Sequence, residues 1–212
     1  TTRFYYAGHS LGGAVVSRAA THPSLVGHLG GVVMLDIVEA VAKQSLQFMD
    51  AYLDKRPETF ASPREAAHWF VLHGGMFNES LAQRTVPYLL REVLEEEGDR
   101  GCARWTWRTD LRATRCCWTT WFEGLDKRFT TLPCPKMLLL ASTDRLDKEL
   151  TLAQMQGKFQ LEVIGTQGHY VMEDEPGMVA SKLARFVTRI ETLTQKIPVF
   201  NSKSLQCSAP VK

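Results

Sequence analysis

Residues 5–15, YYAGHSLGGAV, place a serine among glycines at the point where one hydrophobic pattern gives way to another. Before this point, residues 3–7 (RFYYA) are aromatic and typical of a buried strand. After it, apolar residues recur from Leu11 at helical spacing until a proline ends the pattern. Residues 8–12 (GHSLG) therefore fit the G-x-S-x-G pattern, in which a serine lies on a sharp strand-to-helix turn. We expect Ser10 to be a nucleophile and the backbone N–H of Leu11, at the helix start, to stabilise an oxyanion.

The rest of the chain continues the alternation of strand and helix, with one long interruption. Continuous apolar runs at 30–36, 136–142 and 159–164 are typical of parallel strands buried on both faces. Helical patterns follow at 150–158 and 177–193. This order predicts the back half of a doubly wound α/β fold with a mainly parallel sheet.

The interruption, at about 38–130, has a mainly helical pattern and lies where a lid would lie. One helix is predicted to begin at Ser62. Proline follows at the first helical position, and Glu65, three residues after the serine, completes a capping signature. A second helix is predicted over 80–97, with a kink at Pro87. Four tryptophans between residues 105 and 121 either pack in a core or line a pocket. We therefore predict a helical lid insertion.

A serine hydroxyl needs a general base, and the chain offers six histidines. His169 alone follows the last predicted strand and precedes the last helix, which is where this architecture places the base. His9 lies inside the turn and is expected to pack there. The remaining histidines fall in helices or turns, so His169 is the predicted base.

Two aspartates satisfy the chain order of serine, then acid, then histidine. Asp36 ends the strand that follows the nucleophile helix, and Asp144 ends the next strand of the predicted sheet. Either loop could reach the far side of the imidazole and hold its tautomer. Local pattern leaves this choice open.

Composition argues against nucleic-acid binding and membrane attachment. The 212 residues have a formal net charge of +2, which predicts neither a nucleic-acid footprint nor attraction to an anionic membrane. No apolar run approaches the roughly 18 residues of a membrane span. Five cysteines without CxxC spacing indicate reduced thiols and a cytoplasmic or nuclear protein. The sequence offers no obvious metal cluster, so we expect no metal and no cofactor.

Four stretches together resemble the protein phosphatase methylesterase family of α/β-hydrolases, over about residues 5–190: GHSLGGAV, VVMLDIVEA, DRLDKELTLAQMQGKFQ and QGHYVMEDEP. The resemblance implies that Asp36, in DIVEA, is the triad acid beside Ser10 and His169. It also implies a serine carboxylesterase that needs no cofactor. The substrate of that family is the methyl ester on the C-terminal leucine of the protein phosphatase 2A catalytic subunit. That subunit is the implied partner, and Met155 and Phe159 are candidates for docking it.

The chain departs from the family pattern in two ways. The family's long acidic loop is reduced to residues 95–99, and no strands precede Arg3. We therefore expect residues 1–195 to be the C-terminal portion of an α/β-hydrolase domain, without its N-terminal strands, and 196–212 to be a flexible tail. The alternatives are a generic hydrolase of lipid or small esters, and a truncated non-catalytic subunit that binds a partner.

Overall fold

The computed structural model describes residues 2–94, 103–166 and 168–196. The strands of this part of the chain are β1 (Phe4–His9), β2 (Leu29–Leu35), β3 (Thr59–Phe60), β4 (Leu90–Leu94), β5 (Ala103–Trp107), β6 (Lys136–Leu140) and β7 (Gln160–Val163). The α-helices are α1 (Leu11–Ala19), α2 (Pro23–Val26), α3 (Glu39–Leu46), α4 (Met49–Lys55), α5 (Pro63–Trp69), α6 (Glu79–Thr85), α7 (Trp118–Trp121), α8 (Leu125–Thr131), α9 (Lys148–Met155), α10 (Val171–Asp174) and α11 (Pro176–Lys196). Strands and helices alternate at both ends of the described chain, as the sequence predicts.

Among the described residues, the main sheet has four parallel strands in the order β1-β2-β6-β7. Both of its faces are covered, so successive residues of β2 enter different cores. Val32 and Met34 pack with residues of α1, α8 and α9 on one face. Val33 and Leu35 pack with residues of α10 and α11 on the other. Continuous apolar strands are what burial on both faces requires. The predicted doubly wound, parallel sheet is confirmed.

The segment between β2 and β6 holds more than helices. Its described residues form α3 to α8, but also a three-stranded antiparallel sheet in the order β3-β5-β4. The predicted helix over 80–97 is wrong for residues 86–94, and its last residues, 95–97, lie outside the described residues. Pro87 lies in a 3₁₀ turn after α6, and the chain then extends into β4. Proline cannot donate to a helical hydrogen bond, and pairing with the tryptophan-rich β5 stabilises the extended form.

This segment packs around a core of its own. Phe60, Phe70 and Leu90 are buried there, with Trp107 and Tyr170 packed against them. The predicted helix start at Ser62 is confirmed, since its hydroxyl oxygen accepts a hydrogen bond from the Glu65 N–H at 3.2 Å. Because Tyr170 directly follows His169, the segment rests against the loop that holds the predicted base.

The carboxylate of Asp174 also joins the inserted segment to the loop that holds His169. Asp174, at the end of α10, accepts hydrogen bonds from the backbone N–H groups of Phe77 at 2.7 Å and Asn78 at 3.2 Å. Asn78 in turn caps α6 by accepting from the Leu81 N–H. The loop after β7 and the inserted segment are therefore fastened together next to the end of the sheet.

The last helix, α11, is amphipathic and covers the second face of the sheet with Val179 and Phe186. Residue 196, where the predicted tail begins, is the last residue of α11, and the rest of that tail lies outside the described residues. The acidic stretch 95–99 also lies outside them. Among the helices that the structure describes, none is both long and apolar enough to cross a membrane.

Candidate active site

Ser10 lies on a strained turn between β1 and α1. Its backbone angles are φ 51° and ψ −122°, in the positive-φ region that a non-glycine residue rarely adopts. Its N–H donates to the carbonyl oxygen of Leu35 at the end of β2, at 3.0 Å. The turn is therefore tied to the carboxyl edge of the sheet, as the G-x-S-x-G pattern predicts.

The two glycines of the motif have different roles. A Cβ on Gly8 would lie 2.1 Å from the carbonyl oxygen of Gly12, so the strand and the helix approach too closely for any side chain there. A Cβ on Gly12 would meet nothing within 4 Å. Close approach of backbones therefore requires a glycine at the first position, and space alone does not require one at the second.

Asp36 follows β2 and is 1% exposed. Its Oδ1 accepts a hydrogen bond from the Ala141 N–H at 2.9 Å, and its Oδ2 lies 2.7 Å from Nδ1 of His169. Arg145 also contacts Oδ2. A carboxylate can only accept, so Nδ1 of His169 carries a proton in this arrangement and Nε2 is free to accept one.

The charge of Asp36 is maintained by these partners. Burial alone would raise the pKa of the carboxyl, but the hydrogen bonds from His169 and Ala141 and the positive charge of Arg145 outweigh it and lower the pKa below its usual value. Asp36 is therefore an anion near neutral pH, as a group that orients an imidazole must be.

Asp144 is the other aspartate that the sequence offers as the acid. It lines the cavity of about 540 Å³ that Asp36, Ser10 and His169 also line. The hydrogen bond from the imidazole goes to Asp36, however, and the guanidinium next to Asp144 in the chain, Arg145, contacts the same carboxylate. The geometry favours Asp36 as the partner of His169.

Ser10 and His169 also line a second cavity, of about 620 Å³. Within the described part of the chain, no hydrogen bond joins the Ser10 hydroxyl to the imidazole; catalytic hydrogen bonds are often loose in a free enzyme. Leu11 lines this cavity too and begins α1, so its N–H belongs to the first helical turn, where no carbonyl of the helix accepts it. The volume is within the range that is usual for ligand pockets.

His9 packs in the turn, as predicted, and has an additional role. Its Nε2 lies 2.7 Å from the carbonyl oxygen of His169, and the two ring centroids are 4.5 Å apart. Burial, together with repulsion from His169, lowers the pKa of His9 to about 4. His9 is therefore neutral near pH 7, and its N–H can hold the backbone of the predicted base in place.

The tryptophans fulfil both of the roles that the sequence left open. Trp105 and Trp107 pack against the core of the inserted segment, and Trp118 is buried. Trp107 and Trp121 also line the 620 Å³ cavity beside Ser10. The cavity wall is therefore largely aromatic and aliphatic.

Sequence reasoning missed Arg145. The only local signal is that it follows Asp144 in a polar loop after β6, and nothing in that pattern predicts a contact with Asp36, more than a hundred residues earlier. The contact depends on how β2 and β6 pair, with Leu35 beside Leu139. Parallel neighbours bring the ends of both strands to one edge of the sheet.

Comparison with known proteins identifies the family. The model of the alpha/beta hydrolase family matches residues 2–182. Protein phosphatase methylesterase 1 of Neurospora crassa is 44% identical over 195 residues, which cover 86% of this chain and 43% of the relative. Its counterpart in Schizosaccharomyces pombe is 42% identical over 186 residues, covering 88% of this chain and 52% of the relative. The chain spans about half the length of the curated relatives it matches.

Solved structures show the same fold at lower identity. E-2-(acetamidomethylene)succinate hydrolase superposes with a TM-score of 0.67 at 15% identity, covering 88% of this chain and 67% of that one. An esterase of M. tuberculosis gives 0.57 at 20% identity, covering 90% and 62%. The predicted α/β-hydrolase fold and the resemblance to the methylesterases are both confirmed. The chain belongs to the alpha/beta hydrolase family and is similar in sequence to protein phosphatase methylesterases.

Proposed function

We propose that this chain holds the catalytic residues of a serine carboxylesterase that removes the methyl ester from the C-terminal leucine of the protein phosphatase 2A catalytic subunit. One observation carries the proposal: Ser10, on a strained elbow, shares a cavity with an imidazole that is hydrogen-bonded to a buried carboxylate. The substrate is inferred from the relatives, which are 40–44% identical and are methylesterases by name.

In the proposed mechanism Ser10 attacks the ester carbonyl, and Nε2 of His169 takes the hydroxyl proton. Asp36 holds the imidazole in the tautomer that can accept this proton. The N–H of Leu11 donates to the oxyanion. The same proton then passes to the methoxy group, methanol leaves, and water hydrolyses the acyl-enzyme by the reverse sequence of proton transfers.

The proposed partner is a folded phosphatase, so the candidates for docking it are exposed apolar side chains that such a protein would cover. Met155, at the end of α9, is 75% exposed. Phe159 is only 6% exposed, and its ring lies 5.4 Å from that of Phe129. We therefore propose Met155 as a docking residue and assign Phe159 to the core.

The test is covalent labelling followed by ester hydrolysis. A fluorophosphonate probe should label the 212-residue chain once, at Ser10. Labelling should be lost in Ser10→Ala and fall sharply in His169→Ala. The chain should then release methanol faster from intact methylated phosphatase than from a short methylated peptide, because contacts remote from the ester contribute to transition-state binding.

Other outcomes would point to the alternatives. Undiminished labelling of Ser10→Ala would contradict the nucleophile assignment. Faster hydrolysis of long-chain lipid esters would indicate a generic hydrolase. Absence of labelling with retained binding to the phosphatase would indicate a non-catalytic subunit, for which the edge position of β1 in the described sheet offers a pairing surface.

A further inference from the structure

An arginine stacked on a tryptophan forms part of the cavity wall beside Ser10. Arg56 follows α4 and is half-buried. Its guanidinium carbon lies 3.9 Å from the centroid of the Trp107 ring, a distance at which a cation is attracted to the aromatic face. Both residues line the 620 Å³ cavity together with Ser10 and His169.

The positive charge of Arg56 lacks a carboxylate partner among the described residues. Other arginines of this segment are paired: Arg112 with Asp54 at 2.7 Å, and Arg115 with Asp50 at 2.6 Å. Burial lowers the pKa of Arg56, so its cation is partly removed from water. A desolvated cation facing a cavity is stabilised when an anion occupies that cavity.

A second arginine directly follows the same tryptophan in the chain. Arg108 is exposed and lines the same cavity, and its Nε donates to the carbonyl oxygen of Leu90 at 2.8 Å. That hydrogen bond fixes the side chain through one nitrogen and leaves its terminal N–H groups available. Arg56 and Arg108 therefore both line the cavity that Ser10 lines.

Further arginines line another cavity that shares part of this wall. An adjoining cavity of about 400 Å³ shares Arg56 and Arg108 and adds Arg91 and Arg112. Of the two carboxylates in its lining, Asp110 already accepts the N–H groups of Arg112 and Ala113. The other is Glu58. Four arginines and two carboxylates thus line this adjoining cavity, and of these arginines Arg112 is paired with Asp54 outside the lining.

We propose that Arg56 and Arg108 form a recognition site for an anionic side chain, carboxylate or phosphate, in the polypeptide whose C-terminal ester reaches Ser10. The inference rests on the proposed function only in taking the substrate to be a polypeptide. The terminal carboxyl of such a substrate is esterified and neutral. The anion therefore comes from a side chain upstream, and guanidinium groups bind carboxylates and phosphates through paired hydrogen bonds.

Calorimetric binding to the 212-residue chain in the Ser10→Ala background, which preserves the ester, tests this. The probes are two decapeptides that end in leucine methyl ester and differ only in upstream glutamates or glutamines. We expect the glutamate peptide to bind about tenfold more tightly, equivalent to about 1.4 kcal/mol. A phosphoserine version distinguishes the two sources of negative charge.

Three variants assign the effect to the site. Arg56→Gln and Arg108→Gln should each reduce the preference for glutamate severalfold. Arg56→Lys keeps the charge and should retain most of the preference, which also covers the case in which the glutamine variant does not fold. Arg115→Gln is the matched control, because Arg115 is paired on the surface and lines neither cavity.

Equal binding of the two peptides, binding of neither at millimolar concentration, or an unchanged preference in Arg56→Gln would each overturn the proposal. Hydrolysis is measured separately with the intact Ser10 chain. A glutamate preference without hydrolysis of any ester would leave the anion site standing and contradict the proposed activity, so the two failures are distinguishable.

Discussion

Replacing Asp36 by asparagine is the sharpest test of the proposed triad. The amide is nearly the same size, and its oxygen can still accept the Ala141 N–H, which Asp36 accepts at 2.9 Å. Its NH₂ group would then face Nδ1 of His169 and the guanidinium of Arg145, where Oδ2 now accepts from both. Two donors cannot pair, so the imidazole should adopt the tautomer with its proton on Nε2.

In that tautomer His169 cannot accept the proton of Ser10. We expect kcat to fall by roughly four orders of magnitude, or about 5.4 kcal/mol of activation free energy. The assay is release of methanol from a methylated peptide under saturating substrate. The thermal unfolding midpoint of the variant is measured alongside, because Asp36 is buried and its replacement also affects stability.

Asp144→Asn is the matched control. Asp144 lines the same cavity, but its carboxylate is not the partner of the imidazole, so kcat should change by less than about threefold. An equal or larger loss in Asp144→Asn than in Asp36→Asn would refute the assignment. It would mean that the later strand supplies the acid in the reacting enzyme.

Three further predictions concern stability and docking. Gly8→Ala should lower the free energy of unfolding by about 3 kcal/mol in a denaturant titration, because the added Cβ would lie 2.1 Å from a backbone oxygen. Gly12→Ala is the control, since a Cβ there has free space and should not destabilise the protein. Burial raises the pKa of Asp126 from 3.8 to about 7, so the folded state holds a proton that the unfolded state has lost. Stability should therefore fall by up to about 4 kcal/mol as the pH rises from about 4 to 7, and Asp126→Asn should remove this dependence. Met155→Ala should slow demethylation of intact phosphatase several-fold and leave hydrolysis of a p-nitrophenyl ester unchanged, since Met155 is 75% exposed; equal effects on both substrates would contradict docking.

Much of the fold could be predicted from local pattern. The strands before and after Ser10, the helix start at Ser62 and the amphipathic α11 all depend on residues close together in the chain. Helical spacing, capping and continuous apolar runs are properties of short segments, so they are visible without tertiary structure. The predicted positions of Ser10 and of His169, after the last strand, rest on the same kind of signal.

The helix predicted where the structure has β4 is wrong because strand pairing is not a property of a short segment. Residues 90–94 have apolar and charged side chains compatible with a helix, and they form β4 only because β5 pairs with them. Strand pairing depends on a partner elsewhere in the chain, so tertiary context overrides local propensity.

The arrangement of the site was determined by both levels. The sequence alone determined that a serine elbow exists, that His169 follows the last strand, and that two aspartates end neighbouring strands. The family resemblance implied Asp36 as the acid. Only the tertiary structure showed that its carboxylate contacts the imidazole and Arg145, and that Arg56, which has no carboxylate partner in the described part of the chain, lines a cavity with Ser10. The physical reason is that these contacts join residues tens to more than a hundred positions apart, and the parallel pairing of β2 with β6 and the docking of the inserted segment bring them together.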